Sequence, residues 1–165
     1  MSAETPETQL APILGRIPSG LFVLVAAGPD NRPTGMLASW VQQASFAPPQ
    51  VTVAVNKARW INEWLQPGAA VTLNQAPKGD SLLLKHFGKG FEPGAEAFTG
   101  LECVPGLCGL PLLKAAMCSM EGRVESRLPA GDHDILLMTL TAAMAHRDPA
   151  EFDPWVHVRK NGFGY

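Results

Sequence analysis

The stretch from Thr34 to Pro49 contains the residues best suited to holding a flat ligand. Five of its side chains are small: Gly35, Ala38, Ser39, Ala44 and Ser45. Small side chains allow a planar molecule to lie close to backbone N–H groups and hydroxyls, which then bind its polar edge. The same composition fits a strand whose small-residue face packs against a neighbouring element. The residue types alone leave both interpretations open.

A second candidate is the basic segment Asn56-Lys57-Ala58-Arg59, which comes directly before a predicted helix at Trp60. A phosphate dianion is held well by Lys or Arg together with the free N–H groups of a helix N-terminus. An exposed turn with two solvated cations is the alternative interpretation.

A third candidate is His133, which follows Gly131-Asp132 at the start of a predicted strand. A neutral imidazole can donate a hydrogen bond to a carbonyl or a carboxamide without burying a charge. A histidine that begins a strand often only satisfies a turn, so both roles stay open. Asp132 fits hydrogen bonding to the turn backbone better than it fits catalysis.

Composition and charge exclude several classes of protein. The formal net charge is −2 over 165 residues, and the basic residues are scattered. We therefore expect no binding of nucleic acid through its phosphate backbone. Residues 1–12 lack the basic and apolar segments of a signal peptide, and no apolar run is long enough to cross a bilayer.

The cysteines argue for a reducing compartment. Cys103, Cys108 and Cys118 form an odd set without the spacing of metal ligands. We expect free thiols, a cytoplasmic protein and no metal site. A Cys103–Cys108 disulfide or a metal site is the less favoured alternative.

Hydrophobic patterns and turn residues predict the elements that carry these candidates. The predicted strands are Leu21–Ala27, Val51–Val55, Ala69–Asn74, Ala116–Leu128, Ile135–Ala143 and one within Trp155–Tyr165. The predicted helices are Trp60–Leu65 and Ser81–Phe87, the second with Asp80 as its N-cap and Gly88 at its end. Residues 1–12 are expected to form a flexible arm, and Gly90–Pro111 a long irregular excursion.

The hydrophobic patterns of two of these strands predict what each face contacts. Ala116–Leu128 alternates, with Ser119, Glu121, Arg123, Glu125 and Arg127 on a face expected to be wet. Ile135–Ala143 is apolar on both faces, which predicts that a partner subunit covers its outer face. With no βαβ alternation and no linker, residues 13–165 are predicted to form one mainly β domain, a closed antiparallel barrel with a few short helices.

The order of several sequence words resembles a known family. GRIPSGLFVLVAAG, TGMLASWVQQASFAPPQVTVAV, LLKHFGKGFEPGAEAFTGLE, GLPLLKAAMCSMEGRVESRLPAGDHDILL and HVRKNGFGY follow one another from about Gly15 to Tyr165. Together they are similar to the flavin reductase-like FMN-binding split-barrel family, and most like the flavin reductase domain that ends cyanobacterial-type flavodiiron proteins. The resemblance implies a Greek-key split barrel.

The resemblance also implies a function. It predicts a homodimer that binds FMN non-covalently and receives hydride from NADH or NADPH at flavin N5. A non-catalytic, flavoredoxin-like FMN electron carrier, reduced by a protein partner, is the alternative, and an electron-accepting protein is a further expected partner. The sequence shows no portion for a di-iron centre, so oxygen reduction at iron is not expected of this chain.

The family pattern assigns candidate site residues. The expected flavin contacts are Met36, Leu37, Ala38, Ser39, Trp40, Ala44, Ser45, Asn56, Lys57, Ala58, Arg59, Asn74, His86 and Phe87. His133 is the expected catalytic residue, near the flavin and the nicotinamide. Trp40 fits equally a flavin contact and a packing role, and Phe87 on spacing alone fits the core. Many relatives carry Ser or Thr where Ala58 stands, so one hydroxyl contact to the phosphate is expected to be missing.

Overall fold

The computed structural model describes residues 5–164, which form two α-helices, a 3₁₀ helix and eleven strands. The helices are α1 (Pro6–Leu14), the 3₁₀ helix (Trp60–Trp64) and α2 (Leu82–Phe87). The strands are β1 (Ser19–Gly20), β2 (Phe22–Ala27), β3 (Pro33–Ala38), β4 (Val41–Ser45), β5 (Gln50–Asn56), β6 (Ala70–Gln75), β7 (Cys103–Pro105), β8 (Pro111–Leu113), β9 (Cys118–Ala130), β10 (His133–Ala145) and β11 (Val156–His157). None of the described helices is long and apolar enough to cross a membrane.

Seven strands form an antiparallel sheet that curls into a barrel. Their order is β3-β2-β6-β9-β10-β5-β4. The two edge strands, β3 and β4, are consecutive in the chain and are joined by Ser39-Trp40. The Ala54 N–H donates to the Trp40 carbonyl at 3.0 Å, which extends the β4–β5 pairing into this connection and holds it beside β5.

Alternating apolar residues fill the barrel. In β5, Val51, Val53 and Val55 point inward and are at most 6% exposed, whereas the residues between them are half-buried. Each such buried valine contributes about 1.5–3 kcal/mol of transfer free energy. β2 is buried on both faces because α2 covers its outer side, where Leu83 and Phe87 pack near Val23.

The N-terminal segment is more ordered than expected. Residues 6–14 of the predicted arm and its flank form α1. Its N-cap is Thr5, whose hydroxyl accepts the Thr8 N–H at 3.4 Å, and Pro6 stands at the first helical position. Both are common helix-start signals that the sequence analysis did not use. Residues 1–4 lie outside the described part of the chain, and the flexibility of the arm stays a prediction.

The two predicted helices are shorter than expected. The first is a 3₁₀ helix that ends at Trp64. The second begins at Leu82, so its N-cap is Ser81 and the prediction of Asp80 is wrong, although the Asp80 carboxylate still accepts the Leu82 N–H at 3.0 Å. Within the predicted irregular excursion, β7 and β8 pair as a short hairpin.

The predicted wet face of β9 is buried only in its first part, whereas Arg123 and Glu125 are exposed as expected. Ser119 is 0% and Glu121 4% exposed, because the β7–β8 hairpin lies over this part of the sheet. Further along, Glu125 is an extra residue opposite β10, and this bulge reverses the alternation. Arg127 therefore faces the same side as buried Leu136, and Leu128 is 62% exposed.

Candidate functional site

A cleft of about 240 Å³ opens where β3 ends, beside the end of β5 and the start of β10. The antiparallel register sets Asn56 opposite His133 at this edge. The walls are mainly apolar, with two imidazoles and one guanidinium at the rim. The lining residues are Leu21, Met36, Leu37, Ala38, Ser39, Ala54, Asn56, Arg59, Leu84, Gly88, His133 and His157.

A second compartment of about 150 Å³ lies next to the cleft, and Met36 and Arg59 line both. Its other walls come from the start of β3, the 3₁₀ helix and the loop after α2. The Trp60 indole N–H donates to the Phe91 carbonyl at 2.9 Å, which fixes that loop against the 3₁₀ helix. Lys89 adds a second exposed cation to this compartment, and Glu92 adds one carboxylate. The apolar cleft therefore adjoins a compartment that carries two cations and one anion.

The two cations of the Asn56–Arg59 segment have different surroundings. Lys57 Nζ donates to the Gly131 carbonyl at 2.6 Å and lies 3.9 Å from Asp134 Oδ1, so its charge is already used within the protein. The guanidinium of Arg59 forms no hydrogen bond or ion pair with any residue between 5 and 164. Arg59 is therefore better placed than Lys57 to meet an anionic ligand.

Asn56 and Ala58 shape the turn that presents Arg59. The Asn56 side-chain carbonyl accepts the Ala58 N–H at 2.8 Å, and the Asn56 backbone carbonyl accepts the Arg59 N–H at 3.0 Å. Asparagine bonded in this way stabilises a turn. Ala58 is exposed and lines the second compartment.

His133 lines the cleft with a defined ring orientation. Its Nδ1 lies 2.8 Å from Asp132 Oδ1, so Nδ1–H donates to that carboxylate. This hydrogen bond lowers the pKa of Asp132, which stays ionised. A neutral His133 therefore presents an unprotonated Nε2, which accepts hydrogen bonds; the expected donor role of a neutral imidazole does not fit this tautomer.

Trp40 lies at the rim of the site. Its ring centroid is 4.8 Å from that of His133, with the planes at 37°. The indole also lines a separate groove on the outer side of β4 and β5. The side chain of His133 is only 13% exposed. Trp40 therefore packs at the edge of the cleft and covers one side of the His133 imidazole.

The structure does not bring Asn74 to the cleft. Asn74 is fully buried; its amide donates to the Val23 carbonyl at 3.3 Å and accepts the Leu113 N–H at 2.9 Å. Ser119 Oγ also donates to the side-chain oxygen of Asn74, Oδ1, at 2.6 Å. Neither amide atom is left for a ribityl chain, and Asn74 instead joins β6 to the hairpin and to β9.

His86 and Phe87 belong to an aromatic cluster beneath the cleft. His86 Nε2 lies 2.8 Å from the Ala97 carbonyl, and both rings pack against Phe91. Phe87 is 1% exposed, which agrees with the core alternative. A side chain at Gly35 would come within 2.7 Å of the Phe87 ring. The small residue at position 35 therefore serves packing between β3 and α2.

Ala44 and Ser45 lie away from the cleft, at the far end of β4. Ala44 is an exposed residue at a bulge, and Ser45 pairs with Gln50. Ser45 lines a different groove, near Phe22 and Met120. Of the small residues proposed from the sequence, Ala38 and Ser39 line the cleft itself.

Several lining residues were missed by the sequence reasoning. Leu84 lies in α2 and Gly88 is the residue that caps its C-terminus, on either side of the predicted pair His86 and Phe87. His157 reaches the cleft because β11 pairs with β1, where His157 lies opposite Ser19. The family motif HVRKNGFGY begins at His157 and was the available signal for a site residue in the C-terminal segment. The local sequence pattern does not indicate that this segment pairs with β1.

The cysteines are free and separate from the cleft. Cys103, Cys108 and Cys118 are half-buried, and burial raises the pKa of each thiol. Within the described residues no three His, Cys, Asp or Glu side chains are grouped to hold a metal ion.

Comparison with known proteins identifies the family. Residues 14–163 match the family described as Flavin reductase like domain. Diflavin flavoprotein A 1 from Synechocystis sp. is 39% identical over 160 residues, which are 96% of this chain and 27% of that protein. The chain thus spans about a quarter of the length of this relative.

Solved structures share the fold. The NADH:FAD oxidoreductase SgcE6 from Streptomyces globisporus C-1027 superposes with a TM-score of 0.81 at 24% identity, covering 96% of this chain and 93% of that one. A structure of the same enzyme in complex with NAD and FAD fragments gives 0.77 at 25% identity, covering 94% and 93%. The predicted mainly β split barrel is confirmed. The chain belongs to the flavin reductase-like domain family and is homologous to the flavin reductase domain of cyanobacterial diflavin flavoproteins.

Proposed function

We propose that this chain binds FMN in the cleft and serves as an NAD(P)H-dependent flavin oxidoreductase. The observation that carries the proposal is the junction of an apolar cleft with a compartment lined by cations at Arg59, whose guanidinium has no partner among residues 5–164. FMN has the matching shape, a flat ring system at one end and a phosphate dianion at the other. Family membership supports the same class of cofactor.

The residues present fit such a molecule. Met36, Leu37 and Leu84 offer apolar contact for a ring, and Ala38 and Ser39 keep the backbone close to it. Arg59 and Lys89 offer positive charge where the phosphate would lie. In this proposal Lys57 takes a different part from the one expected, because its ammonium holds the turn at Gly131.

When bound, the flavin supplies the redox chemistry by accepting a hydride from nicotinamide C4 at N5. The contribution of the protein is orientation and exclusion of water. His133 Nε2, an acceptor in the neutral tautomer, can take a hydrogen bond from a carboxamide N–H₂ and so orient a nicotinamide ring. No general base is required of the chain.

The test is direct. Purified protein is mixed with FMN, with FAD in a parallel sample, and bound flavin is measured after gel filtration. Under anaerobic conditions, NADH or NADPH is expected to bleach the visible flavin absorbance. A protein that takes up neither flavin, or whose bound flavin is not reduced by either nucleotide, would contradict the proposal.

The second candidate is an electron carrier of the flavoredoxin type, reduced by a protein partner. It is favoured by one observation: Trp40 lies against His133 and leaves that imidazole mostly covered. A covered nicotinamide position would make reduction by pyridine nucleotide slow. Stopped-flow reduction by NADH and NADPH separates the two candidates, because fast reduction excludes a pure carrier.

We propose further that the protein works as a homodimer. The outer groove of about 410 Å³ is largely apolar and includes Ile17, Val41, Ile135 and Val156. Burying such a surface against a second copy would remove it from water. Light scattering after gel filtration measures the oligomeric state. A cytoplasmic location and an electron-accepting protein partner complete the proposal.

A further inference from the structure

Arg159, in the C-terminal segment, lies at the rim of the cleft against Trp40. The guanidinium carbon of Arg159 lies 4.9 Å from the centroid of the Trp40 ring. The indole in turn lies 4.8 Å from the His133 ring. Guanidinium, indole and imidazole therefore form one contiguous stack, whose last member lines the cleft.

The segment that carries Arg159 is held at several points. The Arg159 N–H donates to the Gly15 carbonyl at 2.9 Å, and the Gly162 N–H donates to the Ala11 carbonyl at 2.6 Å. A side chain at Gly162 would collide with Leu14, so the close approach to α1 requires glycine there. Upstream, β11 pairs with β1. The backbone position of Arg159 is thus fixed from both sides.

We propose that Arg159 is a positioning residue, which holds Trp40 against His133 and thereby sets the orientation of the imidazole at the cleft. A cation over an indole face attracts it electrostatically, and the planar guanidinium can also stack on it. Because the same indole contacts the imidazole, an indole with a fixed position fixes the ring against which His133 packs. The same segment places His157 in the cleft wall, so α1 and the C-terminal segment support the site from outside the barrel.

The effect of Arg159 on turnover rests on the proposed function. The first test of the inference is made on flavin-free protein and does not depend on that function. The variants are Arg159→Met, which removes the charge and keeps much of the stem, and Arg159→Lys, which keeps a cation. Lys160→Met is the matched control, since Lys160 is exposed and is the adjacent basic residue. The His133 imidazole proton resonance, assigned by its loss in His133→Asn, is recorded for each flavin-free protein.

In Arg159→Met, the His133 resonance is expected to move toward its position in Trp40→Ala, because the ring current of the indole no longer acts on it in the same way. In Arg159→Lys the His133 resonance is expected to lie between its positions in Arg159→Met and in the unsubstituted protein. In Lys160→Met it is expected to match the unsubstituted protein. An unchanged resonance in Arg159→Met would overturn the inference. An equal shift in Lys160→Met would do the same.

Turnover gives the second readout. In Arg159→Met, kcat for flavin reduction is expected to fall about three- to tenfold, with the Kd for FMN changed by less than about twofold. Arg159→Lys should restore part of the rate. A loss of flavin affinity with unchanged kcat would contradict a positioning role. If the unsubstituted protein shows no flavin reduction at all, the proposed function fails. The resonance test still decides whether Arg159 positions Trp40 against His133.

Discussion

Replacing Arg59 by methionine tests which basic residue meets the phosphate of the proposed FMN. Arg59 lines both the cleft and its basic compartment, and among residues 5–164 its guanidinium has no competing partner. A hydrogen bond to a charged group contributes about 1.5–3 kcal/mol. Because Arg59 is exposed and screened by solvent, we expect the lower part of that range, about 1.5–2 kcal/mol.

That free energy corresponds to about a tenfold to thirtyfold increase in the Kd for FMN. Riboflavin lacks the phosphate, so its Kd should change by less than about twofold. Lys57→Met is expected to leave the ratio of the two Kd values nearly unchanged, since Lys57 Nζ already donates to the Gly131 carbonyl at 2.6 Å. Lys85→Met, on the exposed side of α2, is the matched charge control.

The assay is titration of the flavin-free protein with FMN and with riboflavin in phosphate-free buffer, followed by quenching of flavin fluorescence. The FMN preference should also weaken as salt is added. The reasoning is refuted if Arg59→Met weakens both flavins equally. It is also refuted if Lys57→Met abolishes the preference for FMN while Arg59→Met leaves it intact.

Three further predictions concern residues around the site. Asn74→Ala should lower the free energy of unfolding by about 2–4 kcal/mol in urea titrations and leave the Kd for FMN within about twofold, because its amide is used inside the protein. Hydrogen bonds from Asn62 and then Arg127 lower the pKa of Asp134, so its carboxylate stabilises the fold above the usual pKa of about 4 and loses that effect as pH falls further. Asp134→Asn should therefore be less stable at neutral pH and show a flatter decline in acid, measured by urea unfolding at a series of pH values. Ile135→Asp, in the outer apolar groove, should shift a dimer to monomer by light scattering, and an unchanged mass would argue against an interface there.

The barrel could be predicted from sequence because its strands carry their own signal. The alternation of β5 and the long apolar run of β2 are local patterns, and both are buried as expected. The same holds for the turn before the 3₁₀ helix, where Asn56 and Arg59 line the cleft. Local pattern also contained the start of α1 at Thr5, which was overlooked.

The rest depends on contacts between distant parts of the chain. The amide of Asn74 accepts from Leu113, 39 residues further on, and Lys57 reaches Gly131 across 74 residues. No local pattern reports such partners, so both residues were given ligand roles that their hydrogen bonds do not favour. The bulge at Glu125 likewise reverses which residues of β9 face inward, and alternation alone could not reveal it.

The dipeptide Ser39-Trp40 belongs both to the seam of the barrel and to the surroundings of the cleft. It links the two edge strands, carries the carbonyl that accepts the Ala54 N–H, and places Ser39 in the cleft wall. A ligand that binds the cleft of the folded protein and not the unfolded chain stabilises the fold by RT ln(1 + [L]/Kd). Deuterium exchange at the Ala54 amide should slow as flavin is added. The exchange rate of this amide would therefore report the fraction of protein whose cleft is occupied.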